Sequence, residues 1–225
     1  MVSILFGRNM LVRCLDFSGN EVSVQNLPNP LELAVKRIES LKLPIFPNAW
    51  PKKPARDVSS VMLNELFHVA ITSMKNWSAE IQIGGGRIDF GHNSRGRLDH
   101  AMEIEIGGSS RVDSDILKLC MIKQEIPTAT LSLVVPSRAI KKRCHTGKCA
   151  DEVVVRLREL EPILDNVRDI LVVEFDVPAK GTPGFSKHLV NGRTKFPKEK
   201  NLLLRGAGKR DVRKFIEKKR KLFFM

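Results

Sequence analysis

At 225 residues with 42% hydrophobic content, the chain has the material for one globular unit, residues 1–225, with a sizeable core. Lys and Arg number 38 against 25 Asp and Glu, a net charge of +13 that points to a polyanionic partner, nucleic acid ahead of an anionic membrane surface. No apolar run approaches the ~20 residues of a membrane span, the opening MVSILFGRNMLVRCLDF is too short in apolar residues for a secretory signal, and Cys14, Cys120, Cys144 and Cys149 lack disulfide-framework spacing, which predicts reduced thiols in a cytoplasmic protein.

In chain order, Ser18-Gly19-Asn20 lies between two alternating runs and predicts a hairpin. After Pro28 and Pro30, the spacing of Leu33, Val35, Ile38 and Leu41 predicts a helix over Leu31 to Leu43, closed by the proline-rich basic loop LPIFPNAWPKKPARD. Asp57 is a candidate N-cap for a broad apolar helix from Val58 to about Lys75. Glu80 to Ile83 alternates as a strand, Gly84-Gly85-Gly86 turns, Arg87 to Phe90 returns, and after a polar loop a third strand covers Leu98 to Ile106. Gly107-Gly108-Ser109-Ser110 leads to a helix over Val112 to Gln124, which Pro127 ends. TATLSLVVP and DILVVEFDVP are apolar enough for central strands, and a helix from Asp151 to about Leu164 lies between them. The order helix, three strands, helix, strand, helix, strand is that of an α/β protein with a mixed sheet, with a core over about 57–177.

The tail differs in kind. Pro178 to Lys200 reads as loop, whereas Arg205 to Lys221 holds nine Lys or Arg against Asp211 and Glu217. Val212, Phe215, Ile216, Leu222 and Phe223 give that basic segment an apolar stripe through which a helix docks while showing its charge outward. Between Cys144 and Cys149, His145 completes three possible zinc ligands; a closed structural site uses four, so a turn with free thiols is the favoured reading.

The residues with most chemical content are acids. On the Leu98 to Ile106 strand, Met102, Ile104 and Ile106 point one way, while Ala101, Glu103 and Glu105 point the other. Two carboxylates two positions apart lie roughly 7 Å from one another, within reach of a common ion. Asp89, following buried Ile88 on the preceding strand, comes alongside if the strands pair. Such a cluster raises its own pKa values, a cost that a hard divalent cation such as Mg²⁺ removes, and beside a phosphate the cation would polarise an oxygen and lower the pKa of bound water. The alternative is an exposed antiparallel face, where Glu is common. GGGRIDFG opens a strand rather than a helix and so fails as a phosphate loop, and His68, His145 and His188 read as core or solvated histidines.

These elements and acids resemble the PD-(D/E)XK nuclease superfamily, whose core has this element order. IDF, then AMEIEIGG, then a helix carrying Asp115, is similar to type II restriction endonucleases of the BglII/BstYI/BamHI group, as is Trp77 to Glu80 ahead of the Ile-Asp strand. The resemblance covers about Asp57 to Pro136 and implies a restriction-endonuclease-like fold, with Asp89 and Glu103 as ligands of Mg²⁺ and Glu105 as a catalytic acid where most of the superfamily has lysine. It leaves open whether Glu105 or a helix lysine, Lys118 or Lys123, activates water. Glu80, or Asn76, would supply a further contact, and Asp99 is a rival to Asp89.

The implied activity is sequence-specific hydrolysis of double-stranded DNA, with a structure-selective repair nuclease and a non-catalytic DNA-binding protein as alternatives. A single-strand or RNA module is disfavoured by the absence of Tyr and by 6% aromatics. Candidate DNA contacts are Arg111; Arg138, Lys141, Lys142 and Arg143; and Lys187, Asn191, Arg193 and Lys195, although solvated basic loops would look the same. Cutting both strands of a palindrome calls for a homodimer, through the 151–164 helix or the terminal LFFM, and host protection calls for a cognate DNA methyltransferase.

Overall fold

The computed structural model describes residues 3–45, 58–84, 86–108, 110–144, 147–176, 190–195 and 208–224. Strands β1 (Ser3–Asn9) and β2 (Leu11–Leu15) are followed by the expected hairpin into β3 (Glu21–Val22), where Asp16 Oδ1 accepts from Asn20 N at 2.8 Å. Helix α1 (Asn29–Glu39) has Pro30 in its first turn, where no amide donor is needed, and buries Leu31, Ala34, Val35 and Ile38. It stops before Leu43, because Leu41 and Leu43 are buried from extended chain, the latter on β4 (Lys42–Ile45).

Helix α2 (Ser60–Thr72) is capped by Ser59, whose hydroxyl accepts from Met62 N. Asp57, the candidate cap, lies outside the described residues, as do Ser109, His145, Lys187 and His188. Next come β5 (Trp77–Ile83) and β6 (Gly86–Ser94), both longer than their apolar alternation suggests, and β7 (Arg97–Ile104), which ends two residues before the expected Ile106. The stretch expected as a polar loop is strand on both sides of a two-residue turn, Arg95-Gly96, with φ of 52° and 76°. Helix α3 (Arg111–Glu125) leads to β8 (Thr130–Pro136). The SRAIKKR segment, read as a loop, forms helix α4 (Arg138–Cys144), with Ser137 Oγ accepting from Ile140 N. Helix α5 (Ala150–Leu160) and β9 (Ile170–Asp176) complete the expected order.

Within the tail, Val190–Lys195 is strand β10 rather than loop. It pairs antiparallel with β1, a distant backbone partner that composition does not reveal. The basic segment forms helices α6 (Lys209–Lys218) and α7 (Arg220–Phe223), and Val212, Phe215, Ile216 and Phe223 are buried as the stripe requires.

A seven-stranded mixed sheet, ordered β3-β2-β9-β8-β7-β6-β5, is flanked by helices on both faces; β7, β8 and β9 are mutually parallel and the other pairs antiparallel. One face packs with α1, α2 and α6, the other with α3 and α5. Strand β7 serves both, with Met102 and Ile104 in the first core and Ala101 in the second. No helix among the described residues is long and apolar enough to cross a membrane.

His100 is fully buried on β7, its nitrogens paired with Thr130 Oγ1 at 2.6 Å and Ser132 Oγ at 2.8 Å, and burial pushes its pKa down to about 3. The unfolded chain, with an ordinary value of 6.5, therefore binds the extra proton between those limits. Stability present above pH 6.5 should be lost as pH falls toward 3, at about 1.4 kcal/mol per unit from this group. Urea unfolding as a function of pH checks this, and His100→Asn should flatten that part of the curve.

Candidate active site

The antiparallel register of β6 and β7 sets Phe90 opposite Met102 and Gly91 opposite Ala101, which brings Asp89 beside Glu103. The Asp89 carboxylate crosses to β7, where Oδ2 accepts from Ile104 N at 2.9 Å. Glu105 follows the end of β7; its amide donates to Val134 O on β8, and its Oε1 accepts from Gly107 N. The three acids line one cavity of about 340 Å³, walled by α2, α3 and α6. Glu80 lines it too, from within β5, at φ 56°. A non-glycine residue in the left-handed region costs of order 1–3 kcal/mol and marks a position fixed by its surroundings.

Glu103 is 1% exposed, and its Oε1 is buried without a directed hydrogen bond. Its cationic neighbour is Lys118 of α3, with Nζ at 2.5 Å from Glu103 Oε1 and 2.8 Å from Asp115 Oδ1. Burial and then Asp89 push Glu103 up to about 9, with Lys118 opposing. Burial likewise lifts Glu105 to about 7 against the Gly107 amide, and raises Asp115. Burial lowers Lys118, but Asp115 and Glu103 outweigh it and hold the ammonium firmly protonated.

The cavity wall contains six acids (Glu65, Glu80, Asp89, Glu103, Glu105, Asp115) and four bases (Arg111, Lys118, Lys209, Arg213), a surplus of two carboxylates. Among the described residues no three His, Cys, Asp or Glu side chains are arranged as a ready metal cluster, and Lys118 stands between Glu103 and Asp115. The donor set nonetheless fits a hard divalent cation: the acids offer only oxygen, and in the cavity wall they outnumber the bases by two.

Other candidates lie elsewhere. Asp99 sits toward the far end of β7, bound to His92 Nδ1 at 2.6 Å, and Lys123 is held by Ala129 O at 2.9 Å. Asn76, with φ 66°, accepts from Asn93 N and does not line the cavity. Of the DNA-contact candidates, Arg111 lines the cavity; Asn191, Arg193 and Lys195 lie on β10. Arg138 and Lys141 are paired with α5, the former 3.5 Å from Asp151 and the latter 2.5 Å from Glu152. Glu152 also accepts from Cys149 N at 2.9 Å and so caps α5. Glu152→Ala should cost about 1 kcal/mol in thermal unfolding. Lys142→Gln, at an exposed position, should leave melting unchanged and, if the chain binds a polyphosphate such as DNA, lower the salt slope of that binding by about 1.

The apolar faces considered for self-association are largely occupied within the chain, although Ile163 of the 151–164 segment is 74% exposed. Val153, Val154, Leu157 and Leu160 of α5 and Phe223 and Phe224 at the C-terminal end are buried, leaving Val155 exposed on α5; Met225 lies outside the described residues. All four cysteines are buried, and none is in a disulfide.

Sequence reasoning missed Glu65 and Arg213. Glu65 is 3% exposed on α2, and its Oε2 accepts from Arg213 Nε on α6 at 2.8 Å. The signal was present: Glu65 is the one acid in the apolar run VMLNELFHVAI, and a carboxylate on a helix buried nearly all round requires a partner. His68, one turn later, lines the same cavity, and burial followed by Arg213 pushes it down to about 4.

No family model matches the chain, and no curated protein matches it. Among solved structures it is similar to the restriction endonuclease BglII complexed with a DNA 16-mer, at 12% identity, over 75% of this chain and 78% of that one, with a TM-score of 0.45. What the cavity can do follows from its own side chains.

Proposed function

We propose that the chain is a Mg²⁺-dependent nuclease of the type II restriction endonuclease kind, hydrolysing phosphodiester bonds in double-stranded DNA at a specific sequence. The observation that carries this reading is buried Glu103 beside Asp89, in a cavity with two surplus carboxylates, on a chain of charge +13. Asp89 and Glu103 would hold the cation, which when bound supplies Lewis acidity toward a phosphoryl oxygen and toward water.

The chain's own residues supply the rest. Glu105, lifted to about 7, is suited to take the proton of an attacking water, and Lys118 keeps a firmly held proton at Nζ for a hydrogen bond to an oxygen in the site. Arg111, in the first turn of α3, offers a guanidinium to phosphate. Arg138, Lys142 and Arg143 of α4 would add phosphate contacts, and Lys187, Asn191, Arg193 and Lys195 are further candidates by residue type. Two copies related by a two-fold axis would cut both strands of a palindrome, and a cognate DNA methyltransferase would protect the host.

The test is digestion of plasmid DNA with Mg²⁺ or with EDTA, followed by sequencing of the ends. Discrete fragments with uniform ends, made only with Mg²⁺, support the reading. Cutting confined to junctions moves the chain to the repair nucleases, and binding without cutting under any divalent cation would falsify the catalytic assignment.

A further inference from the structure

Helix α6 does more than present charge to solvent. Its apolar stripe packs on α2, and the side chains on the adjoining face, Lys209 and Arg213, one turn apart, line the same cavity as Asp89, Glu103 and Glu105. Arg213 is held in place: Nε donates to Glu65 Oε2 at 2.8 Å, from a carboxylate that is 3% exposed. Because Nε makes that bond, the two terminal guanidinium nitrogens, the pair that grips a phosphate bidentately, are not spent on it. The Arg213 side chain is one-third exposed, so its outer end remains open to a ligand entering the cavity.

We propose that Arg213, oriented by Glu65 and assisted by Lys209, is a phosphate-binding residue of the reaction site, contacting the phosphate of the strand to be cut opposite the carboxylates. This rests on the nuclease reading and adds a specific positive wall to a cavity otherwise dominated by acids. A cation placed there serves two ends: it draws a phosphodiester into a negatively charged pocket, and it stabilises charge on the non-bridging oxygens as the bond breaks. Glu65 is the positioning residue, acting through Arg213.

The proposal is tested with the full chain on a short fluorescent DNA duplex, reading single-turnover cleavage in Mg²⁺ and the salt dependence of binding in EDTA. Arg213→Gln should slow cleavage about 100-fold and lower the slope of log K against log salt by about 1, and Lys209→Gln should lower the slope similarly with a smaller rate effect. Arg213→Lys, which keeps charge but loses the fork, should keep the slope and recover only part of the rate. Because Arg213→Gln leaves a buried acid without its partner, Glu65→Gln/Arg213→Gln is read in its place if the single variant does not melt cooperatively. A folded variant that cuts within about threefold of wild type and keeps its slope overturns the assignment. Should wild type itself fail to cut, the nuclease reading falls, while the salt slope still decides whether Arg213 binds phosphate.

Discussion

On the proposed nuclease function, Glu103→Gln should reduce DNA cleavage by at least about 10³-fold, equivalent to about 4 kcal/mol of lost transition-state stabilisation, with folding and DNA binding retained. The amide fills the space of the carboxylate on β7 but brings no charge to a divalent cation. Stability provides a second readout. In the folded chain the Glu103 carboxyl is raised from 4.5 to about 9, so the folded state holds a proton that the unfolded state has already released between those values. Without metal, the stability from this group is fully present below pH 4.5 and is lost as pH rises toward 9, with a slope of about 1.4 kcal/mol per unit. Glu103→Gln should flatten that slope in EDTA, and Mg²⁺ should restore wild-type stability at neutral pH without affecting the variant. Urea unfolding with and without Mg²⁺ measures both effects. A wild-type stability indifferent to Mg²⁺, together with an active Glu103→Gln, would remove Glu103 from the site.

Replacing Lys118 by methionine should produce opposed effects on metal and on rate. The ammonium lies 2.5 Å from Glu103 and 2.8 Å from Asp115, so removing it leaves two largely buried acids uncompensated. Leaving buried polar groups without their partner costs about 1–3 kcal/mol, and thermal unfolding in EDTA should register that loss. Mg²⁺ should offset much of it, since the competing cation is gone, and the variant should saturate at lower Mg²⁺ than wild type. Cleavage at saturating Mg²⁺ should nevertheless fall about 100-fold, the scale of a lost hydrogen-bond donor to developing charge. If Lys118→Met cuts at wild-type rate while Glu105→Gln does not, proton handling belongs to Glu105 alone.

The order of elements was legible because it is written locally, in apolar periodicity and turn residues. The meeting of Asp89 with Glu103 was legible too, since antiparallel pairing leaves few registers and one of them joins the acids. Strand lengths were harder. Arg95-Gly96 lacks an Asn-Gly signature yet makes a two-residue turn, and the positive φ of Glu80 interrupts the alternation of β5. Lys118 and Lys123 could not be separated by spacing alone, although five residues turn a helix by roughly 140°, so only one of them faces the acids. Least legible were Glu65 and Arg213, separated by 148 residues and joined only through the docking of α6 on α2. A local pattern records that Glu65 needs a cation; it does not record where along the chain that cation will come from.

That separation has a consequence for biosynthesis. The ribosome releases α2 and all three strands of the acid cluster well before it adds Arg213, so a nascent chain carries the carboxylates without the wall that α6 supplies. Until then Glu65 remains an acid without its guanidinium, and the apolar surface of α2 that α6 covers stays open to water. The cavity is finished only once α6 has been made and has docked on α2, long after the acids themselves have emerged.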